Sequence, residues 1–321
     1  MHETHESNSI LPPTFSATGE HRHAASGAAG SIKPSGLVAK VMPNTTFYFA
    51  ILRNPADLME SSFTYYKLTS PFSKARNLED FLYHTSQFYN ASARDSHYAK
   101  NLMTFDFGYN HNGNFSAKHI QFILSSIEAQ FDLLLISEYF DESMVLLKKA
   151  LCWDLEDVVS FPLNSRHNST KVHISESTAE KLKSWNHLDW ELYMHFNRTF
   201  WEKVDLHIGR EHLWQEVRAL QQKRKELAKV CLQEGGSVVP KNIRDQRLAP
   251  LQYGKATVLG YNLKSGMDKA TRQRCQRLVT PELQYSKLLY RKQFPKKALK
   301  FINLAHSPKL LPKSNRTRVP S

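Results

Sequence analysis

Phe47-Tyr48-Phe49-Ala50-Ile51-Leu52-Arg53-Asn54-Pro55 is the stretch from which the rest of this chain is read. Its six leading residues are apolar without alternation, the pattern of a strand covered on both faces. Asn54 is a residue type that caps helices, and Pro55 fits the first helical position, where a missing N–H costs nothing. The stretch therefore predicts a strand over Thr46 to Leu52 and a helix from Pro55 to Tyr66. Arg53 stands at the carboxyl end of that strand and Ser61 follows it by eight residues. Open α/β sheets bind ligands at the carboxyl ends of their strands, so a cation and a hydroxyl delivered there make a candidate phosphate site. The competing reading is an arginine that merely pairs with an acid.

Working outward, helical periodicity marks Leu78 to Tyr89, with Glu79 and Asp80 at its positive end. A segment Tyr98 to Phe105 leads into the turn Asp106-Phe107-Gly108-Tyr109-Asn110. Lys118 to Gln130 reads as an amphipathic helix, and Phe131 to Ile136 as a second short buried strand ending at Glu138. Strands alternating with helices imply a parallel sheet. The helix Phe140 to Leu151 follows, then a polar loop over Asn164 to Ser177, a Trp/Tyr/His-rich helical pair over Thr178 to Asp205, and a long charged helix over Ile208 to Leu232. From Gly235 onward the Pro and Gly signals predict irregular structure. Residues 1–36 read as a disordered segment, 37–300 as the folded domain and 301–321 as a basic tail.

The chain has 321 residues, 41% of them hydrophobic, enough for a sizeable core. Its net charge of +13 is uneven. Between Lys241 and Arg318 stand nineteen Lys and Arg against three acids. Such a segment can bind a polyanion or be a solvated surface; no nucleic-acid motif accompanies it, and no nucleic-acid partner is expected. The three cysteines, Cys152, Cys231 and Cys275, lack zinc-ligand spacing, so no metal is expected. Cys152, in an apolar run, reads as a buried thiol. Cys231 and Cys275 are either free or paired, the latter only in an oxidising compartment.

Asn-x-Ser/Thr occurs six times, at Asn44, Asn90, Asn114, Asn168, Asn197 and Asn315, which suggests a lumenal or secreted ancestry. The first 36 residues contain no signal-peptide pattern, and no run of eighteen apolar residues appears.

The run Phe47 to Pro55 with Glu60-Ser61-Ser62-Phe63 resembles the 3′-phosphate-binding segment of Golgi sulfotransferases, and more specifically of the galactose-3-O-sulfotransferases, the group that includes galactosylceramide sulfotransferase. Asn101-Leu102 through Tyr109, Glu138 through Ser143, Leu151 through Val158 and Leu259 through Lys264 carry the same resemblance, which spans roughly residues 37 to 290. It implies a P-loop-like α/β fold with a central parallel sheet flanked by helices. It also implies 3′-phosphoadenosine 5′-phosphosulfate (PAPS) as sulfate donor, galactose on glycolipids or glycoproteins as acceptor through its 3-hydroxyl, and a Golgi location at the membrane. Arg53 and Ser61 match the family's 3′-phosphate positions. The Lys/Thr-rich loop that grips the 5′-phosphosulfate has no counterpart, since residues 1–36 hold one lysine, Lys33, beside Pro34. The expectation is thus a family member without its N-terminal strands, loop and membrane anchor. The alternative is an inactive member that binds glycan or polyanion.

Other polar residues offer chemistry. His97 is a candidate for proton transfer or for simple packing. Glu138 suits either a substrate hydroxyl or a helix cap. Trp185, His187, Trp190, Tyr193 and His195 suit sugar stacking or, at helical spacing, a core.

Overall fold

The computed structural model describes residues 40–296 except 41, 44 and 70. The expectations for residues 1–36 and 301–321, and for Asn44 and Asn315, fall outside the described residues. In chain order the structure runs β1 (Phe49–Leu52), α1 (Pro55–Tyr65), α2 (Leu78–Tyr83), α3 (Thr85–Phe88), α4 (Leu102–Asp106), α5 (Ala117–Gln130), β2 (Leu133–Ile136), α6 (Phe140–Ala150) and α7 (Leu155–Val158). It continues with α8 (Glu176–Trp185), α9 (His187–His207), α10 (Arg210–Cys231), β3 (Leu232–Val238), β4 (Gly260–Leu263), α11 (Lys269–Val279) and α12 (Glu282–Gln293).

β1 and β2 pair in parallel, with Phe49 opposite Leu133 and Leu52 opposite Ile136. The α/β class therefore holds, while the central sheet is only two strands wide among the described residues. All four β2 residues are buried, because α6 and α9 pack against that strand. In β1 only Leu52 is fully buried, and Phe49, Ala50 and Ile51 are half-buried. α9 presents Leu192, Phe196, Phe200 and Val204 to this core, one residue every four, which keeps them on a single stripe. A smaller core joins α1, α2 and α8, where Phe63, Phe72 and Phe81 meet edge to face at 5.1 and 5.3 Å.

Three expectations need correction. The helix foreseen over Leu78 to Tyr89 is broken at His84 into α2 and α3. Cys152 is exposed rather than buried. It occupies the left-handed position after α6 (φ 53°), with its N–H donating to Lys149 O and the Trp153 N–H donating to Lys148 O at 2.9 Å. That hydrogen-bond pair ends a helix by turning the chain outward, and it carries the thiol with it. The region beyond Gly235 is not irregular. β3 and β4 pair antiparallel with a register irregularity between Leu232 and Ser237, where Glu234 and Gly235 take φ of 61° and 70°. The Gly-Gly pair marks a bulge within a strand instead of its end. Cys231, the last residue of α10, is disulfide-bonded to Cys275 of α11.

Candidate functional site

The carboxyl ends of β1 and β2 lie side by side, and the residues that leave them build the site. Asn54 caps α1, its side-chain oxygen accepting the Ala56 N–H at 2.9 Å, and Pro55 opens the helix. Glu138, just past β2, accepts the backbone N–H of Asn54 at 2.9 Å through one carboxylate oxygen. Its other oxygen accepts the Tyr193 hydroxyl of α9 at 3.4 Å. Glu138 is thus neither a plain helix cap nor free: it fixes the exit of one strand to the exit of the other. Burial, then the charge of Glu138, pushes the Tyr193 phenol up, so it stays protonated and donates.

Arg53 stands between β1 and this capped turn. It is half-buried, and its guanidinium makes no ion pair, hydrogen bond or ring contact with any described residue. The reading of a strand-end arginine held by an acid therefore has no partner to offer. A half-buried cation left uncommitted is unusual, since burial of a charge is costly unless it is paired.

Ser61 lies in the second turn of α1, seven residues after Asn54, so two helical turns return it to the face that begins at the N-cap. Both its neighbours are committed to the fold. Glu60 is buried and accepts from Arg166 Nη1 at 3.1 Å, from the Thr64 hydroxyl at 3.2 Å and from the Val172 N–H at 3.2 Å. Ser62 is buried and donates to Tyr98 O at 2.6 Å. The Ser61 hydroxyl has no partner among the described residues. Among the described residues of this strand, turn and helix face, the side chains of Arg53, Ser61 and the exposed Asp57, one turn before Ser61, make no hydrogen bond or ion pair; Arg53 and Ser61 are the cation and the hydroxyl among them.

Beside α1 a shallow depression with about 10 Å³ of free space, room for about one water, is lined by Pro55, Leu58, Ser62, Tyr98, Lys100 and Asp189. Lys100 is half-buried, with its ammonium 4.6 Å from the centre of the Trp185 ring, and burial lowers its pKa. Asp189, buried in α9, accepts the N–H groups of Met103 (3.0 Å) and Thr104 (2.8 Å) and the Thr104 hydroxyl (2.7 Å). It caps α4 from another helix, 85 residues away. Burial pushes Asp189 up to about 6 against those hydrogen bonds, and pushes Asp106, at the end of α4, up to about 7 with the help of Asp189's charge.

His97 is half-buried, stacked on Phe105 with ring centres 4.1 Å apart and tilted against Tyr98 at 4.1 Å. Burial lowers its pKa, so the ring is neutral. The Trp/Tyr/His cluster largely packs. Trp185 donates to Ala99 O at 2.7 Å and meets Phe81 and Tyr89 edge-on; Tyr193 is buried; His187 is exposed. Asn90, Asn114 and Asn168 are exposed, while Asn197 lies inside α9 with its carboxamide oxygen buried and unpartnered. Among the described residues no three His, Cys, Asp or Glu gather as a metal site, and no helix is long and apolar enough to cross a membrane.

Local sequence marked Arg53, Ser61 and Glu138. It did not mark Asp189, whose partner lies 85 residues away, and it marked Tyr193 for sugar stacking or a core without its tie to Glu138, 55 residues away.

A family profile described as galactose-3-O-sulfotransferase matches residues 35–293. Human galactose-3-O-sulfotransferase 2 (Homo sapiens) is 50% identical over 270 residues, covering 83% of this chain and 67% of that protein. Human galactose-3-O-sulfotransferase 4 is 37% identical over 329 residues, covering 80% and 68%. Bovine galactosylceramide sulfotransferase (Bos taurus) is 41% identical over 255 residues, covering 78% and 59%. No solved structure matches.

Proposed function

The chain belongs to the galactose-3-O-sulfotransferase family, and on that premise we propose that it binds PAPS at the carboxyl ends of β1 and β2 and transfers the sulfuryl group to the 3-hydroxyl of a terminal galactose. The acceptor is a glycolipid or glycoprotein glycan, as the names of the relatives suggest. One observation carries the reading: a half-buried arginine, Arg53, and a hydroxyl, Ser61, stand at that edge with no side-chain hydrogen bond or ion pair to any described residue.

The chemistry suits the donor. Its ribose 3′-phosphate is a dianion, which an arginine fork and a hydroxyl meet with charge-assisted hydrogen bonds. The N-terminal end of α1 adds a favourable dipole. When bound, PAPS supplies a sulfuryl group with a phosphate leaving group. The protein's part is to hold the nucleotide in line with the acceptor oxygen and to take the acceptor proton. Glu138 keeps the two strand ends in register and so fixes where Arg53 emerges. His97, neutral at physiological pH, is our candidate base; its ring is stacked on Phe105, which leaves its in-plane nitrogens to take the proton.

The disulfide between Cys231 and Cys275 and the exposed Asn-x-Ser/Thr sites support a lumenal setting, and membership of the family favours the Golgi lumen. The test is incubation of the full chain with ³⁵S-labelled PAPS and lactose or galactosylceramide. The expected product carries label on the galactose 3-oxygen, located by NMR of the purified saccharide. Label at another position refutes the regiochemistry, and no labelled product from either acceptor refutes the transferase reading.

A further inference from the structure

A second cleft lies away from β1 and β2, at the antiparallel pair β3–β4. It encloses about 180 Å³, less than a drug-sized site but enough for an anionic group with part of a sugar ring. Three cations stand on its walls, Arg244 before β4, Lys264 just after it and Arg272 in the first turns of α11, against one acid, Asp245. Asp245 is already held by Arg247, whose guanidinium donates to it at 2.8 and 2.9 Å. Lys264 donates to Lys229 O. The side chains of Arg244 and Arg272 make no hydrogen bond or ion pair with any described residue. Two guanidiniums therefore face one cleft with their donors unused.

The remaining lining says what kind of anion fits. Gln233 and Ser265 offer amide and hydroxyl groups suited to sugar hydroxyls, whereas the Asn262 carboxamide is consumed by the fold, accepting the Arg244 backbone N–H at 2.9 Å and donating to Asn242 O at 2.8 Å. The aromatic residue there, Tyr261, is buried and its hydroxyl is committed to Pro162 O at 2.8 Å, so the cleft offers no open aromatic face for a nucleobase. The walls are also joined covalently. Gln233 lies two residues after Cys231 and Arg272 three before Cys275, and those cysteines form the disulfide.

We propose that this cleft binds the sulfate or carboxylate group of an acidic oligosaccharide, with Arg244 and Arg272 holding the anion and the polar side chains holding the sugar. The site is independent of the transferase reading, since none of its lining belongs to the β1–α1 edge.

The test is calorimetric titration of the full chain with lactose 6-sulfate, lactose, inorganic sulfate and 3′-phosphoadenosine 5′-phosphate. Lactose 6-sulfate is expected to bind about tenfold more tightly than either lactose or sulfate, and more weakly as salt rises. Arg244→Gln and Arg272→Gln are each expected to weaken it about tenfold, whereas Arg291→Gln on α12 leaves it unchanged. Unchanged affinity in both cleft variants, wild-type binding no tighter than lactose or no tighter than sulfate, or wild-type binding that does not weaken with salt overturns the proposal. Competitive displacement by the nucleotide also overturns it, by assigning the cleft to the donor. The comparisons made on wild type alone stand even if a variant fails to fold.

Discussion

Glu138 and Asn54 join the two parallel strands at their carboxyl ends: the carboxylate that follows β2 accepts the backbone N–H of the residue that caps α1, at 2.9 Å. Arg53, the residue between β1 and that cap, is thereby held at a fixed exit. Replacing Glu138 with Ala removes the tie without touching Arg53. A single hydrogen bond of this kind is worth about 0.5–1.5 kcal/mol, so affinity for 3′-phosphoadenosine 5′-phosphate is expected to fall roughly threefold to tenfold. Tyr193→Phe, which leaves the Asn54 contact in place, should fall less. Equal affinity for the nucleotide in wild type and Glu138→Ala, by titration calorimetry, would remove Glu138 from the site.

The acidic pair behind α4 gives a pH signature. Asp106 has its folded pKa raised from 3.8 to about 7 by burial and by Asp189. A raised carboxyl binds more protons folded than unfolded, so its contribution to stability is present at low pH and is lost as pH rises through about 7. Asp106→Asn cannot ionise and keeps the shape. The variant should therefore gain stability relative to wild type between about pH 4 and pH 8, read as the difference in urea midpoints. Parallel curves would show that Asp106 is not the group responsible.

The disulfide closes a sequence separation of 44 residues that includes β3, β4 and the whole second cleft. Chain-entropy arguments give a stabilisation of about 4 kcal/mol for a loop of this size. Cys231→Ser with Cys275→Ser is expected to lose about 2–4 kcal/mol in equilibrium unfolding. Hydrogen exchange should speed up first in β3, β4 and α11, while β2 stays protected. Equal loss of protection across both sheets would mean that the disulfide stabilises the fold globally.

Glycan occupancy should follow side-chain exposure. When the chain is expressed through a secretory pathway, peptide mass spectrometry is expected to find glycan at Asn90, Asn114 and Asn168 and none at Asn197, whose carboxamide oxygen is buried inside α9. An occupied Asn197 would contradict the placement of that helix face.

What local sequence determines, local sequence revealed. The uninterrupted apolar runs at Phe49–Leu52 and Leu133–Ile136 marked both parallel strands, and Asn54-Pro55 marked the start of α1 to the residue. The bulge in β3 was invisible because Gly235-Gly236 carries the same backbone freedom in a turn as in a strand. Cys152 was misread because its apolar neighbours belong to α6, while its own position is the left-handed exit from that helix. The capping of α4 by Asp189 was beyond reach: no local pattern ties an aspartate in one helix to the open end of another 85 residues earlier. At the site, the residue types were legible in sequence. That Arg53 and Ser61 find no side-chain partner among the described residues while Glu60, Ser62 and Asn54 are consumed by the fold emerged only from the packing.

The central claim is that Arg53 recognises a 3′-phosphate, and titration of the wild-type chain and Arg53→Ala with two nucleotides, 3′-phosphoadenosine 5′-phosphate and adenosine 5′-phosphate, tests it most directly. Loss of a charge-assisted contact of about 1.5–3 kcal/mol predicts a drop of roughly ten- to hundredfold for the 3′-phosphorylated nucleotide. No change is expected for the nucleotide that lacks the 3′-phosphate. An equal drop for both, or none for either, would contradict the assignment of Arg53 to the 3′-phosphate.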